Sequence, residues 1–225
     1  VLLVLALGVA WVAPPRASTP SPQKGGNKTV FAIAIDADNK PVTDLTKEEC
    51  GVREDGADRA LVEFKPATDP LDVVLVVDTS TSIKPSITDV RAALTSFGRA
   101  LMEGSPGATV SVMHVAGAAL MVADNKKTKE DLDKTLSKTI WGESSTTVLL
   151  EGIVDAAKKL EKSPSRRRAM IVVNLDGMPE NSTVQPAKVM QQVVASGASL
   201  WVVSYQNSLS MPTVAKAGQR GQNLD

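Results

Sequence analysis

Three short segments of the sequence carry side-chain oxygens that can bind a cation. Residues 78–82 read DTSTS, with a carboxylate and two hydroxyls at alternate positions. Residues 145–147 read STT, and residues 176–177 are Asp-Gly. Hard divalent cations prefer oxygen ligands, and Mg2+ needs few from the protein because it keeps several waters. We therefore predict a cation site whose ligands are Asp78, Ser80, Ser82, Thr147 and Asp176.

Two aliphatic runs must position the first and the third of these segments. Residues 71–77, LDVVLVV, lead directly into the DTSTS segment, and residues 169–175, AMIVVNL, lead into Asp176. Nearly continuous apolar runs are typical of parallel strands that are covered on both faces. Ligands of such sheets bind beyond the carboxyl ends of the strands, so both segments are expected at one edge. Thr147 is expected there too, at the start of a helix.

The remaining apolar periodicity alternates between strands and helices. This order predicts an α/β fold class, in which a mostly parallel sheet is flanked by helices. Strands are predicted at 71–77, 109–115, 169–175 and 200–204, with residues 118–122 as a hairpin partner at the sheet edge. Helices are predicted at 85–104, 128–140, 148–161 and 186–196, the last of them closed by Gly197.

The charge of the predicted site suggests what it binds. Two carboxylates, Asp78 and Asp176, formally neutralise a doubly charged ion, whereas hydroxyl ligands add no charge. An open coordination position would then attract an aspartate or glutamate side chain of a partner protein. Ser145 or Thr146 takes the place of Thr147 if the loop register shifts.

The three segments resemble the metal-ion-dependent adhesion site of von Willebrand factor type A domains. The resemblance rests on Asp78-x-Ser80-x-Ser82, the helix start at residues 147–149 and Asp176-Gly177, and it covers residues 71 to about 205. It implies a Rossmann-like fold, a bound Mg2+ or Mn2+, and a protein ligand that presents an acidic side chain. It also implies a protein that is not an enzyme.

The segment before the main domain looks like that of a secreted, acidobacterial-type subgroup of these proteins. Residues 42–56, VTDLTKEECGVREDG, carry this likeness, although Glu49-Cys50 replaces the usual Asp-Phe. Met178 likewise follows Asp176-Gly177 where an acidic residue is common.

A small β module is predicted over residues 29–66, with strands from residue 30, around 52–53 and at 60–64, and turns at 38–41 and 55–56.

The N-terminal segment predicts export. Residues 1–13, VLLVLALGVAWVA, are typical of the apolar core of a signal peptide that the sequence enters part-way, and they are shorter than the roughly 20 residues of a membrane span. A buried apolar element and an uncleaved membrane anchor are the alternatives. Residues 14–28 predict a disordered linker, and residues 71–225 the main domain, whose C-terminal end is expected to be incomplete. The expected location is the periplasm, the cell envelope or the exterior.

Composition excludes several other functions. With 25 basic and 25 acidic residues the chain is formally neutral, which argues against a nucleic-acid partner. One cysteine and one histidine, His114, leave few routes to a nucleophilic triad, and His114 is expected to be a packed strand residue. Two alternatives remain beside metal-dependent adhesion: a scaffold of the same fold with an idle site, and a metal-dependent hydrolase.

Overall fold

The computed structural model describes residues 27–139, 141–142, 144–175 and 179–205. The chain forms two compact units, Val1–Asp44 and Leu45–Asp225. The boundary between them lies inside the predicted β module of residues 29–66. The predicted signal peptide, most of the predicted linker and Asp176 lie outside the described residues.

The first unit contains a single tight turn within its described part. Ile35 and Pro41 form an isolated antiparallel bridge around it. The Asp36 carboxylate accepts hydrogen bonds from the amides of Asp38, at 2.9 Å, and Lys40, at 2.8 Å. The predicted turn at 38–41 is confirmed, but the regular strand expected from residue 30 is wrong. Its apolar side chains are exposed, so no burial favours an extended ladder here: Val30 81%, Ile33 66% and Ile35 57%.

The second unit begins with a short hairpin, β1 (Val52–Glu54) and β2 (Ala57–Arg59). Its turn residues, Asp55 and Gly56, have positive φ angles of 52° and 79°, which a two-residue hairpin turn requires. The predicted strand around 52–53 and the turn are therefore confirmed. The strand predicted at 60–64 is wrong, because the tight turn makes pairing resume at Ala57.

The main sheet has five strands in the order β5-β4-β3-β6-β7. All neighbours are parallel except β4 and β5, which form the predicted antiparallel edge hairpin. The strand predicted from residue 169 begins two residues earlier, at Arg167. The strands are β3 (Leu71–Asp78), β4 (Thr109–Val115), β5 (Ala119–Lys126), β6 (Arg167–Leu175) and β7 (Ser199–Tyr205).

Four α-helices cover this sheet within the described residues. Side chains of β3 alternate between two cores, so that Leu75 packs with the first two helices and Val76 with the last two. A 3-10 helix, Thr81–Ser86, replaces the first turn of the helix predicted from residue 85. The α-helices are α1 (Ile87–Gly104), α2 (Lys129–Lys138), α3 (Leu149–Glu161) and α4 (Pro186–Ser196).

Two helix ends have local caps, and the one at Gly197 is as predicted. The Thr128 hydroxyl accepts a hydrogen bond from the Asp131 amide, at 3.2 Å, at the start of α2. Gly197 ends α4 with a φ of 62°, in the left-handed region that glycine tolerates. Of the helices in the described part of the chain, none combines the length and apolarity that a membrane crossing needs.

Candidate metal site

The DTSTS segment brings three predicted ligands together at the carboxyl end of β3. Asp78 is the last residue of the strand and is fully buried. Its Oδ1 accepts a hydrogen bond from the Ser80 amide at 2.9 Å, which folds the loop back over the strand end. The hydroxyl oxygens of Ser80 and Ser82 are 2.8 Å apart. One carboxylate and two hydroxyls therefore occupy a single turn of backbone.

Main-chain hydrogen bonds fix this loop on two sides. The Thr79 amide donates to the Val115 carbonyl, at the end of β4, over 2.9 Å. The Thr81 amide donates to the Ser144 carbonyl over 2.7 Å, and the Gly142 amide donates to the Thr79 carbonyl over 2.8 Å. The loop is thus joined to the segment that leads into Thr147, as the predicted site requires.

Thr147 is placed immediately before α3 and is only 4% exposed. Its amide donates to the Pro179 carbonyl at 3.1 Å, and its carbonyl accepts from the Asn181 amide at 2.8 Å. Its hydroxyl oxygen is buried and has no hydrogen-bond partner among the described residues. A buried hydroxyl without a partner costs roughly 1–3 kcal/mol, so a bound group that uses this oxygen would recover that cost.

The two alternatives to Thr147 differ from it. The Ser145 residue is exposed. The Thr146 hydroxyl lies 3.4 Å from the Ser144 hydroxyl, so it already has a neighbour to bond with. Thr147 alone of the three combines burial with an unused hydroxyl in the described structure.

The β6 strand ends at the same edge as β3. The two strands are parallel, and Val77 pairs with Val173. Asp176 follows β6 by one residue and lies outside the described residues, so its side chain is not placed. Beyond it, the chain returns beside Thr147 through a parallel bridge to Glu180.

The chemistry of these donors fits a hard divalent cation. The predicted set contains only oxygens, and three of its five members are hydroxyls. Within the described ranges, no three His, Cys, Asp or Glu side chains cluster as a metal site. A site here would therefore depend on hydroxyl ligands together with Asp78 and Asp176.

The sequence of the main domain matches a known protein family. The model of the von Willebrand factor type A domain matches residues 72–220, well over half of the chain. The chain belongs to the von Willebrand factor type A domain family. The prediction of a Rossmann-like, mostly parallel sheet flanked by helices is confirmed for this A domain. No curated protein sequence matches the chain.

Solved structures that match this chain include a pilus tip protein and a byssus matrix protein. The A domain of the type V pili tip protein Mfa5 from Porphyromonas gingivalis is 19% identical, covers 54% of this chain and 44% of its own, and gives a TM-score of 0.44. Proximal thread matrix protein 1 from the mussel byssus is 16% identical, with coverages of 60% and 38% and a TM-score of 0.48, and has also been solved with zinc in its MIDAS motif. The matched part of this chain spans less than half of either structure.

The start of α3 in the A domain is capped from another part of the chain. The residue at the N-cap, Val148, has no capping side chain. Instead, the Leu149 amide donates to the Glu180 carboxylate at 3.2 Å, and the Leu150 amide donates to the Ser182 hydroxyl at 3.1 Å. Glu180 and Ser182 were not predicted from the sequence, because contacts across 31 and 32 residues leave no local pattern.

A second acidic side chain strengthens this junction. The Glu151 carboxylate accepts a hydrogen bond from the Thr183 hydroxyl at 3.0 Å. Burial alone would raise the pKa of Glu151, but hydrogen bonds from Ser182 and Thr183 outweigh it and lower the pKa. Glu151 is therefore held as a carboxylate that fastens residues 179–183 to the helix.

The histidine of the A domain is a packed residue, as predicted. His114 on β4 is 6% exposed and meets the Trp141 ring edge to face, with ring centroids 4.7 Å apart. The Arg91 guanidinium lies 5.2 Å from the centroid of the same Trp141 ring. Burial, together with the Arg91 charge, lowers the pKa of His114 to about 4. The imidazole is therefore neutral at pH 7.

Proposed function

We propose that this A domain is an exported protein-binding module whose site holds Mg2+ or Mn2+ and an acidic side chain of a partner protein. The observation that carries the proposal is the buried Thr147 hydroxyl, which has no hydrogen-bond partner in the described structure. Its segment is hydrogen-bonded to the loop of Asp78, Ser80 and Ser82. The proposed ligands are Asp78, Ser80, Ser82, Thr147 and Asp176.

The charge of these side chains supports an acidic partner. Asp78 and Asp176 formally balance a doubly charged ion, and Ser80, Ser82 and Thr147 contribute dipoles without charge. A cation held in this way would supply a Lewis-acidic position for a foreign carboxylate. Asp78 is buried in the protein interior, where the effective dielectric constant is lower than in water. Its carboxylate therefore attracts a cation more strongly than an exposed one would.

Protein binding is favoured over hydrolysis. Hydrolysis needs a general base within hydrogen-bond reach of the attacking water. His114 is buried beneath Trp141, and the Glu151 and Glu180 carboxylates accept hydrogen bonds from backbone amides. These three side chains already make contacts that stabilise the fold, so we propose that the domain is not an enzyme.

Export is proposed from the sequence of the N-terminal segment. The apolar residues 1–13 are followed by the Pro-rich and Ser-rich residues 14–28, an order typical of a signal peptide and a linker. The likeness of residues 42–56 to a secreted acidobacterial-type subgroup supports the same location.

Calorimetric titration with Mg2+ and Mn2+ tests the metal site. Asp78→Asn removes one charge at the proposed site and is expected to lower the affinity by at least tenfold. Asp72→Asn is the matched control, because Asp72 is a buried carboxylate at the opposite end of β3 that bonds to the Thr109 hydroxyl at 2.8 Å. Unchanged binding in Asp78→Asn, or no binding by the wild type, would contradict the proposal.

Capture of partners tests the adhesive role. The immobilised chain is mixed with an envelope fraction from its source, with Mg2+ or with chelator. We expect a partner that is retained with Mg2+, released by chelator and lost with Asp78→Asn but not with Asp72→Asn. Partners that are retained equally in chelator would instead support a scaffold with an idle site.

A further inference from the structure

We propose that Glu180 and Ser182 are positioning residues for the metal site, because they tie the segment after Asp176 to the segment that carries Thr147. The inference rests on the proposed function. It adds two residues that are neither ligands nor part of the family resemblance given above. Its basis is the hydrogen bonding around the first turn of α3.

The first turn of a helix needs hydrogen-bond acceptors for its free amides. A Ser, Thr, Asp or Asn residue at the N-cap usually supplies one acceptor, to the amide of the second or third helical residue. Val148 occupies this position in α3 and has no side-chain oxygen. The acceptors come from residues 180–182, through the Glu180 carboxylate to the Leu149 amide and the Ser182 hydroxyl to the Leu150 amide.

This arrangement gives the cap a second role. A local cap would stabilise α3 alone, whereas this one fastens the helix to a segment that begins three residues after Asp176. The Glu180 carboxylate also accepts from the Ser182 amide at 2.9 Å, which fixes the shape of that segment. Its negative charge at the amino end of α3 is favourable with the helix dipole.

Thr147 lies at the centre of these contacts. Its amide and carbonyl bond to Pro179 and Asn181, on either side of Glu180. Both main-chain polar groups of Thr147 are therefore hydrogen-bonded, which fixes the position of the backbone that carries its buried hydroxyl. Groups that orient metal ligands in this indirect way typically change metal affinity by 10-fold to 100-fold when they are removed.

Glu180→Ala in the full chain tests the inference, with Mn2+ as the probe. The expected result is a rise in the Mn2+ dissociation constant of about tenfold, and a smaller rise for Ser182→Ala. Glu161→Ala is the matched control, because Glu161 lies at the other end of α3 and accepts a hydrogen bond from Gln192 at 2.8 Å. Its Mn2+ affinity is expected to equal that of the wild type.

A double variant separates positioning from helix stability. Val148→Ser with Glu180→Ala gives α3 a local cap while the hydrogen bond from the Leu149 amide to the Glu180 carboxylate stays removed. We expect its melting temperature to return toward that of the wild type while its Mn2+ affinity stays low. Recovery of the affinity by Val148→Ser, or equal affinities of Glu180→Ala and wild type, would overturn the inference. No Mn2+ binding by the wild type would instead overturn the proposed function itself, and the inference with it.

Discussion

The Thr147 hydroxyl has opposite effects on stability and on the proposed metal binding. In the described structure it is buried and makes no hydrogen bond, so it weakens the metal-free fold. We expect Thr147→Val to leave the free energy of unfolding unchanged or slightly higher without metal, and to lower Mg2+ affinity by about tenfold. Urea unfolding in chelator and calorimetric titration measure the two effects.

The neighbouring threonine provides the control for that experiment. Thr146 lies in the same segment, and its hydroxyl is 3.4 Å from that of Ser144. Thr146→Val is expected to preserve Mg2+ affinity. A larger loss of affinity in Thr146→Val than in Thr147→Val would move the ligand role to Thr146.

The buried His114 makes the stability of the domain depend on pH. Its pKa is about 4 in the folded state and about 6.5 when unfolded, so the unfolded chain binds the proton more readily. Stability is therefore complete above pH 6.5 and falls as the pH drops toward 4. At pH 4.5 the loss from this residue is about 2–3 kcal/mol, from about 1.4 kcal/mol per pKa unit.

Urea unfolding at pH 7 and pH 4.5 measures this dependence. His114→Gln cannot titrate, so it is expected to lose about 2 kcal/mol less than the wild type between the two pH values. Equal losses in both proteins would show that other groups cause the acid sensitivity. The Arg91 charge beside the Trp141 ring adds to the effect, because a protonated imidazole would face a second cation.

At the scale of elements, one glycine sets the distance between α3 and the sheet. A Cβ atom built on Gly152 would lie 2.1 Å from a methyl carbon of Val115 and 3.2 Å from one of Val76. Both neighbours are β-branched and rotate little, so the helix itself would have to move. Gly152→Ala is therefore expected to destabilise the domain by about 1–3 kcal/mol, although alanine favours helices.

Thermal unfolding of two glycine variants measures this effect. Gly104 ends α1, and a Cβ atom there would meet nothing within 4 Å. Gly104→Ala is expected to keep or raise the melting temperature, since it limits the unfolded chain. If Gly152→Ala unfolds at the wild-type temperature, α3 has room to shift without cost.

Elements whose apolar face is buried by near neighbours were predictable from the sequence. The strand at 109–115 and the helix at 186–196 have the predicted bounds, because their apolar spacing matches the face that packs. Residues 30–35 also have the apolar pattern of a strand. They form only one bridge, because nothing among the described residues buries their side chains. Periodicity predicts an element where the tertiary structure provides a partner surface.

The convergence of the predicted ligands Asp78, Ser80 and Ser82 follows from the sequence, whereas the contacts around Thr147 do not. Asp78, Ser80 and Ser82 share one segment, so the end of a single strand brings them together. The cap from Glu180 depends on β6 lying beside β3, and no local spacing reveals it. Contacts between segments that are distant in sequence are harder to predict than contacts within one segment.

At the scale of the whole molecule, the sheet order determines which loops can meet. The central strand β3 has β4 on one side and β6 on the other, and all three run in the same direction. The loop after β3 therefore bonds to the end of β4 through Thr79, and lies at the same edge as the end of β6. A cation at this edge would join segments that are distant in sequence, so binding should stabilise the entire fold.

Thermal unfolding at increasing Mg2+ concentration measures that coupling. A ligand that binds only the folded state at 100 times its dissociation constant stabilises it by about 2.7 kcal/mol. For a domain of this size, that corresponds to a rise in melting temperature of roughly 5–10 °C. Asp72→Asn should retain the rise and Asp78→Asn should lose it. An equal rise in both variants would mean that Mg2+ does not act through Asp78, which lies at the carboxyl end of β3, whereas Asp72 lies at the opposite end.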